Sequence, residues 1–182
     1  MKLALAWALT GALALAAPLA PAWATIETPE AKEAAAQAAE QARHDMRETF
    51  AKASLRPGQH LWKKGRDRSP VTHVVVSLGD QMAYAYNNGE LIGASTISSG
   101  KPTKPTPTGI FPILAKQREY YSVKYDNAPM PWMQRLDDYG IALHAGKLPG
   151  YPASHGCVRL PTPFASQLFS ATRIGTEVLI GA

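Results

Sequence analysis

The sequence predicts a mainly β domain with mostly antiparallel strands, one helix late in the chain, and an alanine-rich helix ahead of the domain. Three observations predict it. Short β-branched and aromatic runs between 71 and 97 are separated by turn signals at Gly79-Asp80-Gln81 and Asn87-Asn88-Gly89, a pattern that reads as hairpins. Four prolines and two glycines fall within 98–112, which excludes a central strand there because proline removes ladder donors. Helix-start signals introduce a periodic run only near Thr28 and Thr162.

The chain opens with Lys2, an apolar run over 3–17, Pro18, Pro21 and then Ala22-Trp23-Ala24. This pattern predicts a secretory signal peptide over 1–24, cleaved near Ala24. A membrane anchor wants about 20 uninterrupted apolar residues, and this run is shorter and broken by proline. Export to the periplasm or cell envelope follows as an expectation. The remaining stretch, about 158 residues, suffices for one domain with a real core and not for two sizeable ones.

Over 28–54, Thr28 reads as an N-cap with Pro29 at the first helical position and Glu30 behind it. The apolar stripe of this helix (Ala35, Ala39, Ala42, Met46, Phe50, Ala53) is thin, so peripheral docking or a spacer is expected. Lys63-Lys64-Gly65-Arg66-Asp67-Arg68 is the densest basic cluster. It has no interleaved aromatic beyond Trp62 and reads as solvated linker, with no nucleic-acid partner implied. The excess of 19 basic over 14 acidic side chains suits anionic partners only weakly. A spacer and linker are thus placed at 25–70 and the main domain at 71–182.

Within that domain, 72–78, 82–86 and 90–97 read as strands, and His73 in the first of them as a packed or edge residue. The proline-rich 98–112 reads as a rigid loop beside a site. Strand alternation returns at 120–125, and Met130-Pro131-Trp132-Met133 reads as core or as the wall of a cleft. Thr162 and Pro163 open a helix carrying Phe164, Leu168 and Phe169, with Arg173 near its negative end. A short strand over 177–180 closes the chain.

Chemistry concentrates in Ser154-His155-Gly156-Cys157-Val158-Arg159-Leu160, which holds the only cysteine. An exported thiol without an internal partner is a flag for a working group. With an ordinary pKa near ~8.5 such a thiol needs a base or a positive field to act as a nucleophile. His144, at the end of an apolar run closed by Gly146, and His155, two residues before the thiol, are both candidate bases, and residue chemistry alone does not choose between them. Metal is disfavoured, since one cysteine without a Cys-x-x-Cys or His-Glu-x-x-His pattern lacks the ligand spacing of zinc. Gly156 permits a tight turn and close approach of a substrate. Arg159 can grip a carboxylate with two hydrogen bonds or form an ion pair within the loop.

His144-Ala145-Gly146 followed by the 154–160 run resembles the signature of the L,D-transpeptidase catalytic domain, the YkuD-like family of bacterial cell-wall enzymes. Ser98-Ser99-Gly100-Lys101, Thr106-Pro107-Thr108-Gly109-Ile110-Phe111 and Gly175-Thr176-Glu177-Val178 resemble further segments of it, so the likeness runs from 71 to 180. The resemblance implies a β-sandwich that forms a thioester with a peptidoglycan stem peptide and passes it to an amine of a second stem or of a wall-anchored protein, with no cofactor. It implies Cys157 as nucleophile, His144 as general base oriented by the Ala145 carbonyl, His155 behind them or on the oxyanion side, and an oxyanion turn at Gly156. Ser154 and Arg159 would shape the loop and meet substrate. Position 145 is alanine where many relatives have glycine. An L,D-carboxypeptidase, which would hydrolyse the same thioester, and a non-catalytic wall-binding module are the alternatives.

Overall fold

The computed structural model describes residues 26–182; the expected signal peptide lies outside them. Helix α1 (Pro29–Phe50) begins as its capping residues dictate, with Thr28 Oγ1 accepting from the Ala31 N–H at 3.2 Å. It ends at Ala51, which takes a left-handed conformation and donates to the Arg47 carbonyl at 3.0 Å. Strands β1 (His60–Trp62), β2 (His73–Ser77), β3 (Met82–Asn87) and β4 (Glu90–Thr96) follow, then β5 (Gly109–Pro112) and β6 (Ala115–Gln117). A small hairpin of β7 (Tyr121–Ser122) and β8 (Ala128–Pro129) precedes β9 (Met133–Arg135), β10 (Ala142–Ala145) and β11 (Val158–Leu160). Helix α2 (Thr162–Ala171) and β12 (Glu177–Gly181) complete the chain.

The strands form a six-stranded sheet in the order β1-β4-β3-β2-β12-β5 and a four-stranded sheet in the order β11-β10-β9-β6. Most neighbours are antiparallel, as the hairpin signals imply; β2 with β12 and β10 with β11 run parallel. The Asn88-Gly89 turn has positive φ at both residues, 47° and 83°, the geometry that asparagine and glycine tolerate. Between the two sheets and α2 lies the main core, which includes Val74, Val76, Ile92, Phe111, Leu143, Val158, Leu160, Phe164 and Ile180.

Several sequence expectations change on this frame. Of peripheral docking and a spacer, α1 takes the first, and it buries more than expected: Ala39, Ala42 and Met46 lie against Val75, Tyr84 and Leu91 on the outer face of the large sheet, forming a second core. Small side chains make this possible: a Cβ on Gly181 would meet the Ala35 carbonyl oxygen at 2.5 Å, so helix backbone rests directly on β12. Tyr86 donates to Asp45 at 2.7 Å and Arg43 pairs with Asp80 at 2.8 Å, fixing the helix's register. Likewise 60–62 is an edge strand paired with β4, and Lys63 and Arg66 of the basic run both pair with Glu90. The alternation at 120–125 yields only Tyr121–Ser122 as strand; a 3-10 turn over Val123–Tyr125 and left-handed Asp126 and Asn127 (φ 50° each) reverse the chain onto β8.

The sequence suggests Thr162 as the N-cap of α2, but Thr162 is its first helical residue and the cap position is Pro161, without a side-chain hydrogen bond. The cation at its negative end is Lys116 from β6, whose Nζ donates to the Phe169 and Thr172 carbonyls at 2.5 and 2.6 Å, a role the sequence suggested for Arg173. His73 is half-buried and stacks face to face on Tyr86, with centroids 4.7 Å apart.

Because Met46 is 1% exposed, Met46→Ala is expected to destabilise the protein by about 2–4 kcal/mol in urea unfolding. The exposed Glu48→Ala should stay within about 0.5 kcal/mol. Equal, negligible effects would mean that α1 detaches in solution.

Candidate active site

The parallel ladder of β10 and β11 sorts the side chains. His144 lies opposite Arg159 and Leu143 opposite Val158. Because successive residues alternate between faces, Leu143, Ala145, Val158 and Leu160 enter the main core, while Ala142 and Cys157 join Met130 and Met133 in a small apolar cluster on the other face. His144, Cys157 and Arg159 line one cavity of about 530 Å³ with Ser154, His155 and Lys147, walled by Tyr125, Met130 and Pro131. Its size suits a drug-sized or peptide ligand. Gly146 follows β10, and a Cβ there would meet the Arg159 stem at 3.0 Å, so glycine leaves that stem room to cross the turn.

The cysteine sits in a turn held from several sides. Gly156 has φ 118°, and a Cβ would strike Ile141 at 2.6 Å, so only glycine fits. Ser154 Oγ donates to the Cys157 carbonyl at 2.5 Å and accepts from the Gly156 N–H at 3.1 Å. The proline-rich loop backs the turn. Lys101 N–H donates to the Ser154 carbonyl at 3.0 Å, Ser154 N–H to the Ser99 carbonyl at 2.9 Å, and Ser98 and Arg159 exchange two backbone bonds of 3.0 Å. Asp137 Oδ1 accepts from the Tyr139 and Ile141 N–H groups, shaping the bend whose Gly140 carbonyl lies 3.5 Å from Cys157 Sγ.

His144 is buried, with Nδ1 2.8 Å from the Ala145 carbonyl. A carbonyl only accepts, so Nδ1 carries the ring proton and Nε2 keeps its lone pair. Burial pushes the imidazole down to about 4, against the Ala145 bond, and Arg159 lowers it further. Burial pushes the Cys157 thiol up; the Ala142 backbone and the cations Arg159 and Lys124 oppose this, while Asp137 reinforces it. Both shifts disfavour a thiolate–imidazolium pair, so thiol and imidazole rest neutral.

His155 turns outward. It stacks on Tyr125 of the turn after β7 with centroids 4.8 Å apart, and its pKa falls through loss of solvation and the neighbouring Lys101, Lys104 and Arg159. The guanidinium of Arg159 has no carboxylate partner among the described residues, and no aspartate or glutamate lines the cavity. No group of three or more metal-ligating side chains occurs among the described residues. Reasoning from sequence missed Tyr125, Lys147 and Asp137, which no motif marks. The Met130-Pro131-Trp132-Met133 run serves as both core and wall, with Met133 inside and Met130 and Pro131 on the cavity.

The family whose model matches the chain is described as the YkuD L,D-transpeptidase catalytic domain, over residues 71–180. A search of curated proteins finds no match. Among solved structures, the chain is similar to an L,D-transpeptidase from Xylanimonas cellulosilytica, with 27% identity, 62% of this chain and 61% of that one covered, and a TM-score of 0.56. A cysteine-to-serine mutant of Enterococcus faecium L,D-transpeptidase is 26% identical, covering 62% of this chain and 50% of that one at a TM-score of 0.52. An L,D-transpeptidase from Mycobacterium tuberculosis shares the fold at 23% identity and a TM-score of 0.57, with 61% and 57% covered. The chain thus spans less than two thirds of each of these proteins.

The His144 environment has a measurable consequence. The unfolded imidazole takes up a proton below about pH 6.5, whereas the folded one stays neutral to about 4. The stabilisation is therefore present above pH 6.5 and is lost as pH falls towards 4, by at most about 3.4 kcal/mol. His144→Gln should flatten this part of the stability-against-pH curve in urea unfolding. An unchanged slope would show that His144 titrates normally.

Proposed function

The chain belongs to the L,D-transpeptidase catalytic domain family, and we propose that it is a peptidoglycan L,D-transpeptidase with Cys157 as nucleophile and His144 as general base. The observation that carries this reading is one cavity lined by the only thiol, an imidazole with Nδ1 fixed as donor, and a guanidinium without an acidic partner among the described residues.

In this mechanism His144 Nε2 takes the thiol proton as Cys157 Sγ attacks the carbonyl carbon of the third residue of a donor tetrapeptide. A C–S bond forms and the carbonyl oxygen becomes an oxyanion. Collapse of that adduct breaks the bond to the D-alanine nitrogen, which takes the proton from the imidazolium and leaves. An amine of a second stem, or of a wall-anchored protein, then attacks the thioester. It gives its proton to His144, forms a C–N bond and releases the sulfur, which is reprotonated. Because thiol and imidazole rest neutral, proton transfer accompanies attack and no standing thiolate is needed. Arg159 holds a donor carboxylate in a two-pronged hydrogen bond, favoured by a lining without competing acids. The 1–24 segment supports action outside the cytoplasm.

Incubation with a disaccharide tetrapeptide followed by mass spectrometry should give crosslinked dimer. Tripeptide alone would mean hydrolysis, and crosslinking by Cys157→Ala at the wild-type rate would remove the cysteine from the mechanism. Arg159→Gln is expected to raise KM for the donor about tenfold, roughly 1.4 kcal/mol, with kcat within about threefold. An unchanged KM would exclude the carboxylate contact.

A further inference from the structure

One buried hydroxyl outside the cysteine segment touches the turn at a sensitive place. Thr106, in the proline-rich loop and 4% exposed, donates from Oγ1 to the Gly156 carbonyl at 2.8 Å and accepts from the Gly100 N–H at 2.9 Å. The Gly156 carbonyl and the Cys157 N–H are the two ends of one planar peptide unit, and in a trans peptide they point in opposite directions. Whatever fixes the carbonyl therefore fixes where that N–H points. The Gly156 N–H is already committed to Ser154 Oγ, so the nearest backbone donor to a developing oxyanion on a Cys157 adduct is the Cys157 N–H itself.

Gly156 makes this restraint necessary. With φ 118° it occupies backbone space where glycine is unusually free, so the peptide that follows could otherwise rotate among several orientations. The loop that brings Thr106 is itself tightly set. A Cβ on Gly100 would fall 2.2 Å from the Lys104 carbonyl oxygen and 2.6 Å from the Thr106 nitrogen, so the chain folds back closely on Gly100 and presents the hydroxyl from a fixed base.

We propose that Thr106 is a positioning residue for acyl transfer: its hydroxyl aims the Gly156-Cys157 peptide so that the Cys157 N–H meets the oxyanion. This inference rests on the acyl-transfer reading above, and its test separates the two. Acylation passes through an oxyanion, whereas alkylation of the same thiol by iodoacetamide displaces iodide directly and needs no oxyanion donor.

The experiment measures both rates on the full chain for wild type, Thr106→Val, which keeps the shape and removes the hydroxyl, and Thr106→Ser, which keeps the hydroxyl. Acylation is followed by mass spectrometry with the disaccharide tetrapeptide. Thr106→Val should acylate about 10- to 100-fold more slowly, Thr106→Ser within about threefold of wild type, and all three should alkylate within about twofold of one another. Wild-type acylation by Thr106→Val overturns the proposal. So does a parallel fall in alkylation, which would place the effect on the thiol or the fold, and so does failure of Thr106→Ser to rescue. A wild-type chain that alkylates but never acylates removes the acyl-transfer reading and this inference together.

Discussion

The candidate site depends on a single pairing, the parallel ladder between β10 and β11. With His144 opposite Arg159, a two-residue period delivers Cys157, Arg159 and His144 to one face, and Leu143, Ala145, Val158 and Leu160 to the other. The apolar face is buried in the core, so the register cannot slip by one residue without turning the apolar side chains outward and the imidazole inward. Core packing and site geometry are two sides of the same strands.

Neutral resting groups also shield the thiol from oxidation. Oxidants react with thiolate, so a thiol that burial keeps protonated is a poor target for sulfenic acid formation and disulfide exchange. The field of Arg159 and Lys124 favours negative charge on sulfur only against that larger cost of burial. On the proposed mechanism, activation is tied to the moment a substrate fills the cavity and an imidazole accepts the proton. The Ala145 carbonyl matters because it leaves the accepting nitrogen free, and a backbone atom can do this whichever small residue occupies position 145.

Much of this was legible in the sequence because it is local. Hairpin turns follow from Asn88-Gly89, the start of α1 from Thr28-Pro29, and the candidate residues from one short segment plus His144. What was not legible is long-range. Lys116 takes the negative end of α2 in place of nearby Arg173, since a strand 53 residues away in sequence reaches the Phe169 carbonyl first. The thin stripe of α1 left peripheral docking and a spacer both open because alanine buries little surface; the helix docks, since alanine also allows the backbone approach seen at Gly181. Tyr125 meets His155 only after Asp126 and Asn127 reverse the chain.

The segment ahead of residue 71 then takes on a structural meaning. β1 caps one edge of the six-stranded sheet and α1 covers its outer face, so β2, β3, β4 and β12 are enclosed between two cores. Without α1 that face would expose Val75, Tyr84, Leu91 and their neighbours as a contiguous apolar patch, which a soluble domain seldom tolerates. Since β12 and β2 also form the floor on which α2, β10 and β11 pack, the alanine-rich helix supports the far side of the sheet whose near side carries the site. The family match covers 110 residues from position 71, but the packed fold also includes α1 and, ahead of it, Ile26, whose backbone exchanges two hydrogen bonds of 2.9 Å with Ile110 of β5.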